Sequence, residues 1–180
     1  MSPPDKRARR LLILGAGPTQ EPAIRRARGM GLEVIAVDGN PLAPGLALAD
    51  QPLAIRTLDV PAILAAVRPL GPDGVMTVGS DRAVSASARV AQALGLPGLD
   101  PEAAARANSK LQMRQAFRQW GVPAPEFIAA HDLAAVRRAV NRLGLPVVVK
   151  PVDNAAQRGV QRLDDAASLP DVFALARSFS

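Results

Sequence analysis

A short apolar run, Leu11-Leu12-Ile13-Leu14, breaks off at Gly15-Ala16-Gly17 and passes directly into a helical stretch, and this strand–turn–helix unit then recurs. The first helix is predicted over residues 21–30. Pro22 falls in its first turn, where its missing N–H costs nothing, and Gly31 lies near its end. Residues 33–37 form a second apolar run, closed by the turn residues Asp38-Gly39-Asn40-Pro41. A third strand is predicted at 52–56, before a helix that Asp59 can cap and that runs from Pro61 to residue 68. Gly71-Pro72-Asp73-Gly74 breaks the chain ahead of a fourth strand at 75–78, and Gly79-Ser80-Asp81 opens a helix reaching residue 94. Strands alternating with helices of this length build right-handed βαβ units and a parallel sheet. The expected class is therefore α/β, a Rossmann-like parallel sheet with flanking helices. Ligands at such sheets bind beyond the carboxyl ends of the strands, which singles out the loops 15–20, 38–45 and 79–82.

The pattern changes after Pro97-Gly98, and two domains are expected, 1–98 and 99–180. Asp100 and Pro101 begin a short helix, and a second runs from Ser109 to Trp120 before Gly121 stops it. Phe117 and Trp120, three residues apart, read as a core-facing stripe. Beyond the stiff Val122-Pro123-Ala124-Pro125 come a strand at 126–130, a helix at 133–143 ended by Gly144, an apolar strand ending in Lys150, a polar loop, and a strand at 160–163.

Composition removes several function classes. Hydrophobic residues make up 48% of the 180, so a folded core is expected. With no Tyr, one Trp and four Phe, that core must be mostly Ala, Leu and Val. There is no cysteine, hence no disulfide frame and no thiolate metal site, in keeping with a cytoplasmic protein. The single histidine, His131, excludes a poly-histidine metal centre; no Ser/His/Asp arrangement is found around it, and it reads as the neighbour of a helix cap at Asp132. No catalytic residue can be assigned. The net charge of +6 comes with no interleaved aromatics, so nucleic acid is not the expected partner; small phosphates and carboxylates suit the charge as well. No run approaches a membrane span. The basic arm at 1–10 lacks a following cleavage signal, so it is not read as a secretory leader. Ala-rich helix faces are compatible with a homodimer.

Several constellations remain to be weighed. Gly15 and Gly17 after a strand, with Asp38 ending the next, make most of a dinucleotide fingerprint, but Gln20 stands where the third glycine belongs. The turn is either a generic βα connection, a turn holding another ligand, or an NAD site. Ser80 and Asp81 either cap a helix or contact substrate at the sheet edge. The basic residues are nineteen arginines and only three lysines: Lys6 in the arm, Lys110 in the first turn of a helix, and Lys150 at the end of an apolar strand. The helix dipole disfavours a cation at Lys110, and a strand such as 146–150 would carry Lys150 into a largely dry interior. Each is either a solvated lysine or a phosphate ligand, a role that suits the compact ammonium. The loop 153–159, with Asp153, Arg158 and Gly159, could close over phosphates through backbone amides and the Arg158 guanidinium.

Taken together, Leu12-Ile13-Leu14-Gly15-Ala16-Gly17, Val34-Ile35-Ala36-Val37-Asp38, Ala49-Asp50, Gly79-Ser80-Asp81, Asn108-Ser109-Lys110, Gly121-Val122-Pro123-Ala124-Pro125 and Leu145-Pro146-Val147-Val148-Val149-Lys150-Pro151 resemble the ATP-grasp superfamily over nearly the whole chain. The resemblance implies a pre-ATP-grasp domain followed by the first lobe of an ATP-grasp domain. It implies that Lys110 and Lys150 contact nucleotide phosphates and that 153–159 is the covering flap. Gly15, Gly17, Asp38, Ser80 and Asp81 would line the site of a carboxylate-bearing substrate. The implied reaction makes an acyl phosphate from ATP for attack by an amine, with magnesium ligands from a region beyond residue 180. On that reading no metal ligand lies in this chain, and the chain alone is expected to be inactive. The flap sequence Asn154-Ala155-Ala156-Gln157-Arg158-Gly159 lacks the family's usual glycines. The alternatives are a non-catalytic nucleotide- or carboxylate-binding module and an NAD-binding Rossmann protein.

Overall fold

The computed structural model describes residues 7–154 and 156–179. Most of the basic arm, including Lys6, and flap residue Ala155 lie outside the described residues. The chain forms two compact units that divide between Ala105 and Arg106.

The first unit holds β1 (Arg10–Leu14), α1 (Glu21–Gly29), β2 (Glu33–Val37), β3 (Gln51–Leu53), α2 (Val60–Val67), β4 (Gly74–Met76) and α3 (Asp81–Leu94); α4 (Pro101–Asn108) spans the division. The strands make one parallel sheet in the order β3-β2-β1-β4, confirming the expected α/β class. Both faces of its centre are covered, which is why β1 and β2 read as unbroken apolar runs. Alternation sorts their side chains. Leu12, Leu14, Ile35 and Val37 pack with Ile63 and Val67 of α2 and Ala83, Ala86 and Val90 of α3. Ile13, Val34 and Ala36 point the other way, onto Ile24 and Ala27 of α1.

The third strand is shorter than expected. It pairs with β2 through three residues only, and Pro52, which has no N–H to donate, lies opposite Ala36 on this outer strand. A single 3-10 turn at Leu46–Leu48 replaces the featureless loop anticipated before it. The chain builds outward from β1 to β3 and then returns to the far side of β1, so the order reverses between β1 and β4. A parallel α/β sheet opens its ligand crevice at such a reversal.

The second unit holds α5 (Lys110–Gln119), α6 (Leu133–Leu143), β5 (Val147–Val149), β6 (Gln161–Leu163) and α7 (Leu169–Arg177). The two strands pair antiparallel. Val136 and Val140 of α6 pack with Leu163 and Leu169, and Val147, Val149 and Phe173 lie against them. Three expectations need correction. Residues 126–130 are not a strand: they make no ladder, and Phe127 instead lies under the Arg118 guanidinium at 4.7 Å. The helix α7, started with Pro170 in its first turn, was not anticipated. Trp120 ends α5 with 77% of its surface exposed, so it does not form a buried stripe with Phe117. No helix of the described residues is long and apolar enough to cross a membrane.

Asp132 caps α6 as the sequence suggested, its Oδ1 accepting the Ala135 N–H at 2.6 Å. Asp132→Ala is expected to cost about 1 kcal/mol, and Asp132→Ser to recover most of it. A urea midpoint for Asp132→Ala equal to wild type would show that the cap contributes nothing.

Candidate functional site

At the carboxyl edge of the parallel sheet, the first turn is held by its neighbours rather than by its own sequence alone. Gly15 has φ +100°, a conformation glycine adopts without strain, and its N–H donates to the Val37 carbonyl at 2.8 Å. The Ala16 N–H donates to Asp38 Oδ2 at 2.8 Å, while Asp38 Oδ1 accepts the Asn40 N–H at 2.9 Å. Asp38 Oδ2 thus ties the first loop to the second, while Oδ1 braces the second loop itself. The loops meet again at Gly45, whose N–H donates to the Ala16 carbonyl at 2.7 Å. A Cβ on Gly45 would stand 2.7 Å from that oxygen and 2.6 Å from Ile24 Cδ1.

Gln20 explains the incomplete glycine fingerprint. Its side chain is buried, folds over Gly15 and Gly17, and donates from Nε2 to the Val78 carbonyl. Thr77 Oγ1 donates to the Leu14 carbonyl at 2.8 Å beside it. A buried carboxamide therefore bridges the turn after β1 and the segment after β4. Gly79 must lack a side chain, since a Cβ there would reach Thr19 Cγ2 at 2.3 Å. Ser80 occupies the N-cap position of α3, yet its hydroxyl makes no capping bond; Asp81 follows in the first turn, exposed.

The other group of expected residues comes together within the second unit. The Lys110 N–H donates to the Val152 carbonyl at 2.9 Å, and Lys110 Nζ donates to the Asn154 carbonyl. The first residue of α5 is thereby fastened to the start of the flap. Lys150 does not enter a dry interior. By strand alternation it shares a face with Val148, which is 57% exposed, and Lys150 is exposed too, because the other face of β5 is the one that meets the core. Its ammonium is nonetheless partly desolvated and has Arg114 and Lys110 as neighbouring cations, and all three effects lower its pKa from the ordinary 10.5. Asp153 and Arg158 are exposed along the flap. Gly159 is buried at φ +71°, and a Cβ on it would meet Phe179 at 2.9 Å and Pro151 at 3.2 Å. Two residues stand in for the missing flap glycines in the left-handed region, Ala156 at φ 55° and Gln157 at φ 60°. Among the described residues no three Asp, Glu, His or Cys side chains converge.

No family model matches the chain. It is 32% identical over 155 residues to the formate-dependent phosphoribosylglycinamide formyltransferase of Burkholderia lata, an alignment covering 84% of this chain and 38% of that enzyme. Among solved structures it matches the L-amino acid ligase of Bacillus licheniformis with a TM-score of 0.74 and 26% identity, over 96% of this chain and 42% of the ligase. The match falls on the N-terminal part of these enzymes. These relatives are ATP-grasp enzymes, and the chain is similar to their N-terminal part. It shares its fold with the biotin carboxylase domain of Hydrogenobacter thermophilus 2-oxoglutarate carboxylase, solved with MgADP and bicarbonate (TM-score 0.73, 17% identity, 95% of this chain and 42% of that one). The chain spans about two fifths of the length of the curated relatives it matches.

The residue that sequence reasoning missed is Arg114, one helical turn after Lys110. The i,i+4 spacing of two cations on α5 was the available signal. Its effect on Lys150 is testable. Because folding lowers the Lys150 pKa, the unfolded chain binds that proton more tightly. This group therefore costs stability at neutral pH, and the cost is relieved as pH rises through the folded pKa toward 10.5. Arg114→Ala is expected to raise the Lys150 pKa, read from the pH dependence of its acetylation rate by mass spectrometry. An unchanged midpoint would show that Arg114 does not act on Lys150.

Proposed function

We propose that this chain is the nucleotide-phosphate-binding portion of an ATP-grasp ligase that activates a carboxylate as an acyl phosphate. The observation that supports this most is the grouping of Lys110, Arg114 and Lys150 beside the start of the flap. Like charges repel, and a fold that draws three cations together, lowering one's pKa, is suited to a polyanion. Lys110 and Lys150 would contact the phosphates of Mg-ATP, with 153–159 closing over them and Arg158 adding a charge-assisted donor. In the reaction, a carboxylate oxygen attacks the γ-phosphorus and ADP leaves. An amine then attacks the acyl carbon and inorganic phosphate leaves. Cations around the transferring phosphoryl group stabilise the charge that develops there. The carboxylate would lie at the loops around Gly15, Gly17, Ser80 and Asp81, with Asp38 fastening the first of them to the loop at 38–45. We assign the first unit to the pre-ATP-grasp domain, the second to the first lobe of the ATP clamp, and the protein to the cytoplasm.

The test is calorimetric titration of the chain with Mg-ATP, Mg-ADP and NAD. Saturable binding of both adenine nucleotides without binding of NAD is expected, because the Gln20 side chain lies over Gly15 and Gly17, where a dinucleotide turn lets the backbone approach the pyrophosphate. NAD binding as tight as that of ATP would overturn the reading in favour of a dinucleotide protein.

A further inference from the structure

One cleft of the first unit involves none of the lysines. It measures about 700 Å³ and is bounded by Asp38 and Gly39 on one side, residues 56–59 on another, and Arg82 at the start of α3. That volume lies within the range of small-molecule sites, about 300–1,000 Å³. Its walls are fixed. The Asp38 N–H donates to the Leu53 carbonyl at 3.1 Å, and Gly39 lies against the Arg56 backbone, where a Cβ would stand 3.4 Å from Cα.

The polar groups of the cleft are unevenly used. Asp38 spends both carboxylate oxygens on the Ala16 and Asn40 amides. Asp59 caps α2 by accepting the Ala62 N–H at 3.2 Å, so its charge faces a helix N-terminus. The two guanidinium groups are the reverse. Arg56 is 85% exposed and makes one long contact, 3.5 Å to Asp59 Oδ2. Arg82 is exposed, has no hydrogen bond or ion pair among the described residues, and stands in the first turn of α3, where the dipole disfavours a cation. Thr57 and the exposed face of Leu58 complete the lining. Donors are in excess, acceptors are occupied, and each guanidinium is a fork matched to two oxygens.

We infer that this cleft binds a small molecule through a dianionic phosphate monoester, gripped between Arg56 and Arg82. The inference rests on the reading of the sheet edge as the substrate side of a ligase. It adds what that reading lacks: a phosphate on the substrate and two residues that recognise it.

The experiment is a titration of the 15N-labelled chain with inorganic phosphate at constant ionic strength, followed through arginine Nε–H and backbone amide signals, with acetate as the comparison. Phosphate is expected to shift the Arg56, Thr57 and Arg82 signals saturably, and acetate to shift them far less. Arg56→Ala and Arg82→Ala should each weaken the effect about tenfold, the scale of one charge-assisted contact. Unperturbed amides elsewhere in each variant report that it is folded. A Lys110→Ala/Lys150→Ala variant should retain the phosphate shifts in full, so loss of ATP binding and loss of this site are separate results. Shifts that do not saturate, that acetate reproduces, or that survive both arginine substitutions would overturn the inference.

Discussion

Replacing Lys110 and Lys150 together by alanine is expected to weaken Mg-ATP binding at least 100-fold, roughly the sum of two charge-assisted contacts at about 1.5–3 kcal/mol each. The two single variants are expected to differ in kind. Lys110 also donates to the Asn154 carbonyl and so tethers the flap; its loss should free that segment as well as remove a phosphate contact. Hydrogen exchange across residues 152–159 should therefore quicken in Lys110→Ala and stay unchanged in Lys150→Ala. Lys150 takes part in no such tether, and its exposure means that its removal leaves no cavity. Full ATP affinity in the double variant would place the nucleotide elsewhere and sink the site assignment.

Gly45→Ala is expected to be strongly destabilising for the first unit, at about 2–4 kcal/mol. The backbone dihedral is not the reason: Gly45 has φ −68°, which any residue accepts. The reason is space. The added carbon would press on the backbone oxygen of Ala16 and on the buried Ile24 side chain. The Ile24 tip can rotate, but the Ala16 oxygen cannot yield without moving the turn at 15–17, and the Gly45-to-Ala16 hydrogen bond would be lost with it. Gly29→Ala is the control. Nothing lies within 4 Å of its added Cβ, and alanine is the better residue near a helix end, so this variant should be neutral or slightly stabilised. Urea midpoints that coincide for the two variants would show that the contact of the loops is not rigid.

The sequence was most legible where burial imposes a period. Leu12, Leu14, Ile35 and Val37 against Ile13, Val34 and Ala36 is a two-faced pattern that only a covered sheet explains, and glycine, proline and aspartate marked nearly every boundary. It was least legible where a small unit has few buried residues. Nothing local distinguishes residues 126–130 from a strand; what they lack is a partner, and pairing is decided at a distance. The exposure of Lys150 follows from which face of a two-stranded ribbon meets the core, which a run of three valines cannot reveal. Gln20 was seen as a departure from the glycine pattern. That its amide would reach across to the Val78 carbonyl depends on β4 lying beside β1, a fact of topology rather than of spacing. Arg56 and Arg82 were lost among nineteen arginines, since sequence alone does not tell which guanidinium groups lack a partner.

Pro52 has a consequence for how copies of this protein can associate. On the outermost strand of the first sheet it removes a donor that an incoming strand would need. A continuous intermolecular sheet cannot grow through that rim, whether as an ordered pair of subunits or as an aggregate. At this rim the association of two copies is left to side-chain surfaces, where shape and charge can be selective, while the row of backbone donors that would accept any extended peptide is broken.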